Sequence, residues 1–552
     1  MGFSRDSIGR TRVVVTMGLV GVLALAACSS SSKATSNGGT TAQHAGSGAS
    51  FDPSVMNKPQ HVGTPVAGGS LTFGLEAAVS TLVPGRIVQP SDLTVAASVY
   101  DPIVGFDDRG LYAPTGLASS WTKTPDLKQW TFTLRPNVTF SDGTPANAAA
   151  VVTQLAALKK LPHCSCAADV AHVLNVEAVD DLTVRFTLDQ ANVAFPQFLA
   201  SGAGYLAAPA AWASPDTMTS HPIGTGAFRS ITDGKLSYTR NSSYWRKSAS
   251  GHALPYLDKI TFVAIPDSTA RLSKLRSGDV DILQSADTQN LVQAKRDPNL
   301  VVQPVTGSSA TIVVLNSHQP PFDDIRMRQA FNYALDREAL NKAYFGDSRT
   351  PAYGPLEPSN PYYDAKGQLP GHDLAKAKEL VAQVKRDGKS TTVTALCINT
   401  PQASSQFATI AKEEQAAGIG ATLKTVDQVS LVVALQSRSA NGFEAACFRN
   451  VQIADPDVLY STYYRTGGSN ISLTSDLALD VALRQGRRST DVSARKAAYN
   501  TAQELLAKDI TTVPLLFDLY GNIHTKQVSG LSTPRPNALG LIEPGDLYFV
   551  QR

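Results

Sequence analysis

The sequence predicts an α/β protein of two lobes, a strand-rich mixed half followed by a half in which strands and helices alternate. Three observations carry that expectation. The chain has 552 residues, 43% of them hydrophobic, more than one typical domain needs to build its core. Short segments with apolar residues at every second position mark the first half. After about residue 320, longer segments with apolar residues at mixed three- and four-residue spacings alternate with short apolar runs.

At the N-terminus Arg5, Arg10 and Arg12 precede fifteen uncharged residues, "VVVTMGLVGVLALAA", which read as an export signal over residues 1–27. The run is too short to span a bilayer, which takes about 20 residues. It ends in Leu25-Ala26-Ala27-Cys28, which resembles the bacterial lipobox, where the cysteine is thioether-linked to diacylglycerol and becomes the first residue of the mature chain. Cys28 is therefore the expected lipidation site, placing the protein on the extracytoplasmic face of the cell membrane. Residues 28–66 are rich in Ser, Gly, Thr and Ala and read as a flexible tether with a reach of roughly 35 Å.

Beyond the tether, "QWTFTLR" puts Trp130, Phe132 and Leu134 on one face, and "LTVRFTL" does the same with Leu182, Val184, Phe186 and Leu188. Both read as half-buried strands, with the turn "SDGTP" (Ser141 to Pro145) between them. In the second half, "DDIRMRQAFNYALDREALNKAYFG" predicts a helix carrying Ile325, Phe331, Leu335 and Leu340. "HDLAKAKELVAQVKRDG" predicts a second helix, "TTVTALCINT" a strand, "SSQFATIAKEEQAAG" a helix and "ATLKTVDQ" a strand. "LVVALQSRSANG" and "FEAACFRN" continue the alternation, which predicts a parallel sheet covered by helices. "VSARKAAYNTAQELLAKD" is the last long helix. In such sheets ligands sit beyond the carboxyl ends of strands, so the ends of "TALCINT" and "EAACFRN" are the positions to watch.

Most sharp chemistries fail on the residues present. With 49 basic and 46 acidic residues, the charge of +3 gives no footprint for nucleic acid. Gly388-Lys389-Ser390 lacks the first glycine of a P-loop and stands between a helix and a strand in the wrong order. No G-x-S-x-G or H-E-x-x-H occurs, and pairs such as Asp107 with Asp108 or Asp323 with Asp324 are adjacent rather than opposed, as turns and caps are. "HCSCAADVAH" gathers His163, Cys164, Cys166 and His172 at a spacing that does not suit zinc. With Cys28 set apart, four cysteines remain, allowing three pairings; Cys397 with Cys447 and Cys164 with Cys166 is the expected one, a metal site or free thiols being the alternatives for the second pair. No catalysis, cofactor or resident metal is expected.

Seven blocks follow one another along the chain: "GGSLTFGLEAAVSTLVPG", "VYDPIVGFDDRGLYAPTGLASSWTKTPDLKQWTFTLRPNVTFSDGTPANAAAVV", "HPIGTGAFR", "NSSYWR", "LPYLDKITFVAIPDSTARLSKLRSGDVDIL", "LNSHQPPFDDIRMRQAFNYALDREAL" and "ADPD". In that order they resemble the solute-binding proteins of ABC importers that handle dipeptides, oligopeptides, nickel and related solutes. The resemblance implies a type II periplasmic-binding-protein clamp. Lobe I would combine residues 67–106, 222–303 and 521–552, an extra α+β subdomain would span 107–221, and lobe II would be 304–520. It also implies peptide capture by lobe closure, delivery to separate permease and ATPase subunits, and a monomer.

In peptide-binding relatives an aspartate three residues before the Asp/Glu-Pro pair meets the peptide's ammonium; here that position is Gln452, an amide that brings no charge. Asp455 is the alternative partner for an ammonium, and Phe448, Arg449 and Asn450 complete the expected ligand-binding segment. Asn450 and Ala454 stand where nickel-complex binders place aromatic residues, which disfavours nickel. A sugar or peptide-like metabolite is the alternative cargo. A sensor or partner-binding regulator is the alternative role.

Overall fold

The computed structural model describes residues 63–87, 89–107, 111–231, 236–305, 309–347, 349–358, 360–436, 442–451, 455–463, 470, 476–518, 520–531 and 542–551. The expected export signal, Cys28 and most of the tether lie outside the described residues. The last tether residues, Pro65–Val66, form a short strand paired antiparallel with Tyr548–Val550.

Two sheets organise the fold. One has seven strands in the order Leu300–Val305, Tyr520–Thr525, Ile282–Ser285, Ser70–Leu75, Lys259–Ala264, Ser237–Arg240 and Phe228–Ser230. The other has six, in the order Thr350–Pro351, Thr512–Phe517, Ser309–Leu315, Ala445–Val451, Thr392–Ile398 and Gly420–Val426. The chain crosses between them twice, from Leu300–Val305 into Ser309–Leu315 and back from Thr512–Phe517 into Tyr520–Thr525. Two adjacent crossings permit a hinge, because only two short stretches of backbone must change angle for the sheets to move.

The six-stranded sheet corrects the expectation of a parallel sheet. Only Thr392–Ile398 with Gly420–Val426 and Thr392–Ile398 with Ala445–Val451 pair in parallel. Ser309–Leu315 pairs antiparallel with both Ala445–Val451 and Thr512–Phe517. These added strands are the two by which the chain enters and leaves from the other sheet, so no helical crossover sets their direction.

The four-stranded antiparallel sheet of the first half contains both alternating segments, Gln129–Leu134 and Thr183–Leu188, as direct neighbours with Trp130 opposite Phe186. Trp130, Phe132, Leu134, Val184, Phe186 and Leu188 are all buried in one core, as period-two patterning requires. The single helix expected over 323–346 is two, Ile325–Ala334 and Arg337–Phe345. Asp336 explains the break: its side chain caps the second helix by accepting from the Ala339 amide.

The blocks that resemble the importer family meet at a buried carboxylate. Asp101 accepts from Thr225 Oγ1 at 2.9 Å, Tyr244 OH at 3.1 Å and Trp245 Nε1 at 2.9 Å. Burial, partly offset by these donors, pushes its carboxyl up to about 6. Gly224 beside it has no room for a side chain, since a Cβ there would lie 2.1 Å from the Val99 carbonyl oxygen. Motifs 124 residues apart thus belong to one packing junction.

Disulfides join Cys164 to Cys166 and Cys397 to Cys447. Among the described residues no helix is long and apolar enough to cross a membrane.

Candidate functional site

The strand Ala445–Val451 carries the expected ligand-binding residues toward its carboxyl end, which lies beside the first crossing: Val451 pairs with Ser309, Asn450 with Ala310, Arg449 with Thr311 and Phe448 with Ile312. Phe448 packs against the core on one face of this sheet. The Asn450 side chain and the whole of Gln452 lie outside the described residues.

Arg449 reaches the second crossing. Its Nε stands 3.1 Å from Asp518 Oδ2, and its Nη1 donates to Tyr520 OH at 3.0 Å. Tyr520 in turn donates to the Glu76 carboxylate, at the end of the central strand Ser70–Leu75. Asp518 is fully buried and also accepts from Ser309 Oγ at 2.7 Å, Thr311 Oγ1 at 2.9 Å and Arg349 Nη1 at 2.6 Å. Arg349 continues across to the seven-stranded side, donating from Nη2 to the Ala286 carbonyl at 2.9 Å. Both crossings and both sheets are therefore tied through one carboxylate and two guanidinium groups.

Burial alone would raise the Asp518 carboxyl, but the charges of Arg349 and Arg449 and the two hydroxyl donors outweigh it, so it is held below the usual carboxylate range. Burial pushes the Tyr520 phenol well above its ordinary value, with Glu76 adding to the effect, which keeps it a donor. The Arg449 side chain retains 40% of its exposure while Asp518 and Arg349 are closed off. A charged, half-exposed guanidinium at the junction of two sheets suits it to meet an anionic group.

Asp455 follows a different geometry. Its carboxylate accepts from Arg495 Nη2 at 2.8 Å and Nη1 at 3.2 Å, and from the Tyr112 phenol. Burial alone would raise its carboxyl, yet Arg495 and these hydrogen bonds bring it below the ordinary value. Two residues on, Asp457 accepts from Arg487 Nη2 at 2.6 Å and Nε at 3.0 Å, and from Tyr499 OH at 3.1 Å. The structure thus brings Arg449 to the crossing, packs Phe448 against the core of its sheet and sets Asp455 in a charge pair away from both.

Glu76, Arg349, Asp518 and Tyr520 escape sequence reasoning because their partners lie up to 444 residues away. One signal was available. Asp518 is the sole charge in the run "TVPLLFDLYGNI", and a charge inside an apolar run that becomes buried needs a partner. Among the described residues no group of three or more His, Cys, Asp or Glu is placed to hold a metal ion.

Comparison with known proteins gives consistent neighbours. The family described as bacterial extracellular solute-binding proteins, family 5, middle region, matches residues 114–471. The glutathione-binding protein GsiB of Salmonella paratyphi A is 27% identical over 468 residues, 82% of this chain and 89% of that protein. Among solved structures, the periplasmic binding protein DppA of Helicobacter pylori in complex with the peptide STSA superposes with a TM-score of 0.77 at 24% identity, covering 88% of this chain and 99% of that one. The A. tumefaciens R10 protein AgaA in complex with agropinic acid gives a TM-score of 0.77 at 25% identity, over 88% of this chain and 99% of that one.

Proposed function

The chain belongs to the bacterial extracellular solute-binding proteins of family 5, and from that premise we propose that it captures a peptide or peptide-like carboxylate and delivers it to an ABC importer. Family membership makes it a two-lobed extracytoplasmic binding protein rather than an enzyme. The observation that carries the finer reading is Arg449, charged and half exposed where the two sheets meet. The solutes named for the relatives, glutathione, a peptide and agropinic acid, all carry carboxylates, which supports the same chemistry here.

In this reading lobe I comprises 67–106, 222–303 and 521–552 with the subdomain 107–221 packed on it, and lobe II comprises 304–520. The solute lies between them, its carboxylate at Arg449 and its amine end toward Gln452, whose amide oxygen accepts a hydrogen bond. The lobes close as a monomer and present the closed form to the permease.

Native mass spectrometry of the purified protein, followed by thermal-shift measurements with peptides, glutathione, opine-type acids and sugars, tests this. A carboxylate-bearing peptide or analogue should co-purify or raise the melting temperature, and Arg449→Gln should weaken its binding about tenfold or more, a charge-assisted hydrogen bond contributing roughly 1.5–3 kcal/mol. Stabilisation by a neutral sugar alone would exclude the reading, and no response to any solute would favour a regulator.

We also propose that Cys28 is acylated and that residues 28–66 tether the clamp to the membrane. Radiolabelled palmitate should enter the wild-type chain and not Cys28→Ser, which should appear in the medium; unchanged labelling of the variant would refute the anchor.

A further inference from the structure

Residues 455–457, ahead of the helix Val458–Tyr463, face the first-half subdomain across a polar seam. Tyr112 donates its phenol proton to Asp455, and Gln190 Nε2 donates to Tyr460 OH at 3.2 Å. The Val193 amide donates to the Arg487 carbonyl at 2.8 Å. Arg487 Nη2 also stands 3.9 Å from Asp169 Oδ1. Tyr112, Asp169, Gln190 and Val193 all come from residues 107–221, whereas their partners come from residues 455–495.

The chemistry differs on and across the seam. On the side of residues 455–495 the contacts are ionic and bidentate, Asp455 with Arg495 and Asp457 with Arg487, and the Arg487 guanidinium lies 3.6 Å from the centre of the Tyr460 ring. Such pairs fix a rim in one position. Across the seam three of the four contacts use neutral donors, a phenol, a carboxamide and a backbone amide, which form and break more readily.

We propose that this seam is a closure latch: a rim made rigid by Asp455–Arg495 and Asp457–Arg487 is met by Tyr112, Gln190 and Val193 when the clamp shuts. The latch itself rests on the two-lobed fold and not on the identity of the solute.

Adjacent amides provide the test. The Asn192 amide bonds within the subdomain, to the Leu127 carbonyl at 3.2 Å, whereas the Val193 amide bonds across the seam. Hydrogen exchange resolved to single amides is measured on the purified full chain and on Tyr112→Phe/Gln190→Ala, with no solute added. The variant should exchange Val193 at least fivefold faster while Asn192 and the strand Gln129–Leu134 keep their wild-type rates. Equal rates at Val193 in the two proteins overturn the latch. Acceleration of Val193, Asn192 and Gln129–Leu134 together also overturns it, since the contacts would then be part of the subdomain's own stability. Either failure leaves the solute assignment standing, because no solute is involved.

Discussion

Glu414 lies fully buried in the helix Pro401–Ala417, and neither carboxylate oxygen has a hydrogen-bond partner among the described residues. Burial, reinforced by the neighbouring Glu413, raises its carboxyl well above the ordinary value. Burial likewise pushes Glu413 up to about 7, partly offset by the hydrogen bond it accepts from the Asp336 amide. A carboxyl raised in the folded state contributes its full stability below its unfolded value and loses it as pH rises through the folded one. The protein should therefore lose stability from about pH 4.5 upward, with the Glu413 step complete by about pH 7. Glu414→Gln removes the ionisation that burial opposes, so it should raise stability at pH 8 by on the order of 1 kcal/mol or more, each pK unit being worth about 1.4 kcal/mol, and change little at pH 4. Urea titrations at both pH values measure it; an equal effect at the two would show that charge is not the cause. No local pattern marked Glu414, because "AKEEQAAG" reads as an ordinary helix end and only the helices packed around it bury the second glutamate.

The strands Thr392–Ile398 and Ala445–Val451 are parallel neighbours tied by Cys397–Cys447 across a separation of 50 residues. Closing a loop of that length removes unfolded-state entropy equivalent to about 4 kcal/mol, an upper figure when the native strands already hold the ends. Cys397→Ala/Cys447→Ala should lower stability by roughly 2–4 kcal/mol, read from urea midpoints, and reductant should then have little further effect on this sheet. A variant as stable as the wild type would mean that the sheet alone sets the register. Elements of this kind were legible: period-two segments are strands, and the helices Leu374–Arg386 and Val492–Asp509 stand where 3.6-residue periodicity predicts them. The direction of strands was not. Alternating helices and strands imply parallel pairing only between consecutive units, and Ser309–Leu315 arrives from another sheet. Asp336 shows the same limit at a helix, where apolar spacing continues through a residue that the backbone uses as a cap.

A two-lobed clamp was legible in the order of the family blocks, but the device that ties its lobes was not, because Glu76, Ser309, Arg349, Arg449 and the pair Asp518 and Tyr520 come from five separate segments. Asp518 stands at the centre of that network, buried between the two crossings and facing two guanidinium groups. Asp518→Asn keeps the size of the side chain and removes its charge, leaving Arg349 buried beside a neutral amide. Breaking a buried pair in this way costs roughly 3–5 kcal/mol, whereas Arg449→Gln, at a half-exposed site, should cost no more than about 1 kcal/mol. Both variants should weaken solute binding, the first by loosening the junction and the second by removing the anion's partner, so stability separates their causes. The pH dependence gives an independent check. A carboxyl held below its ordinary value contributes stability above that value and loses it as pH falls through the folded one, so the wild type should lose this contribution only in acid, below about pH 4. Asp518→Asn should lack that acid step and unfold in less urea at pH 7. If its urea midpoint matches the wild type at pH 7, the crossings are held by backbone pairing alone and the charge network does not tie the lobes.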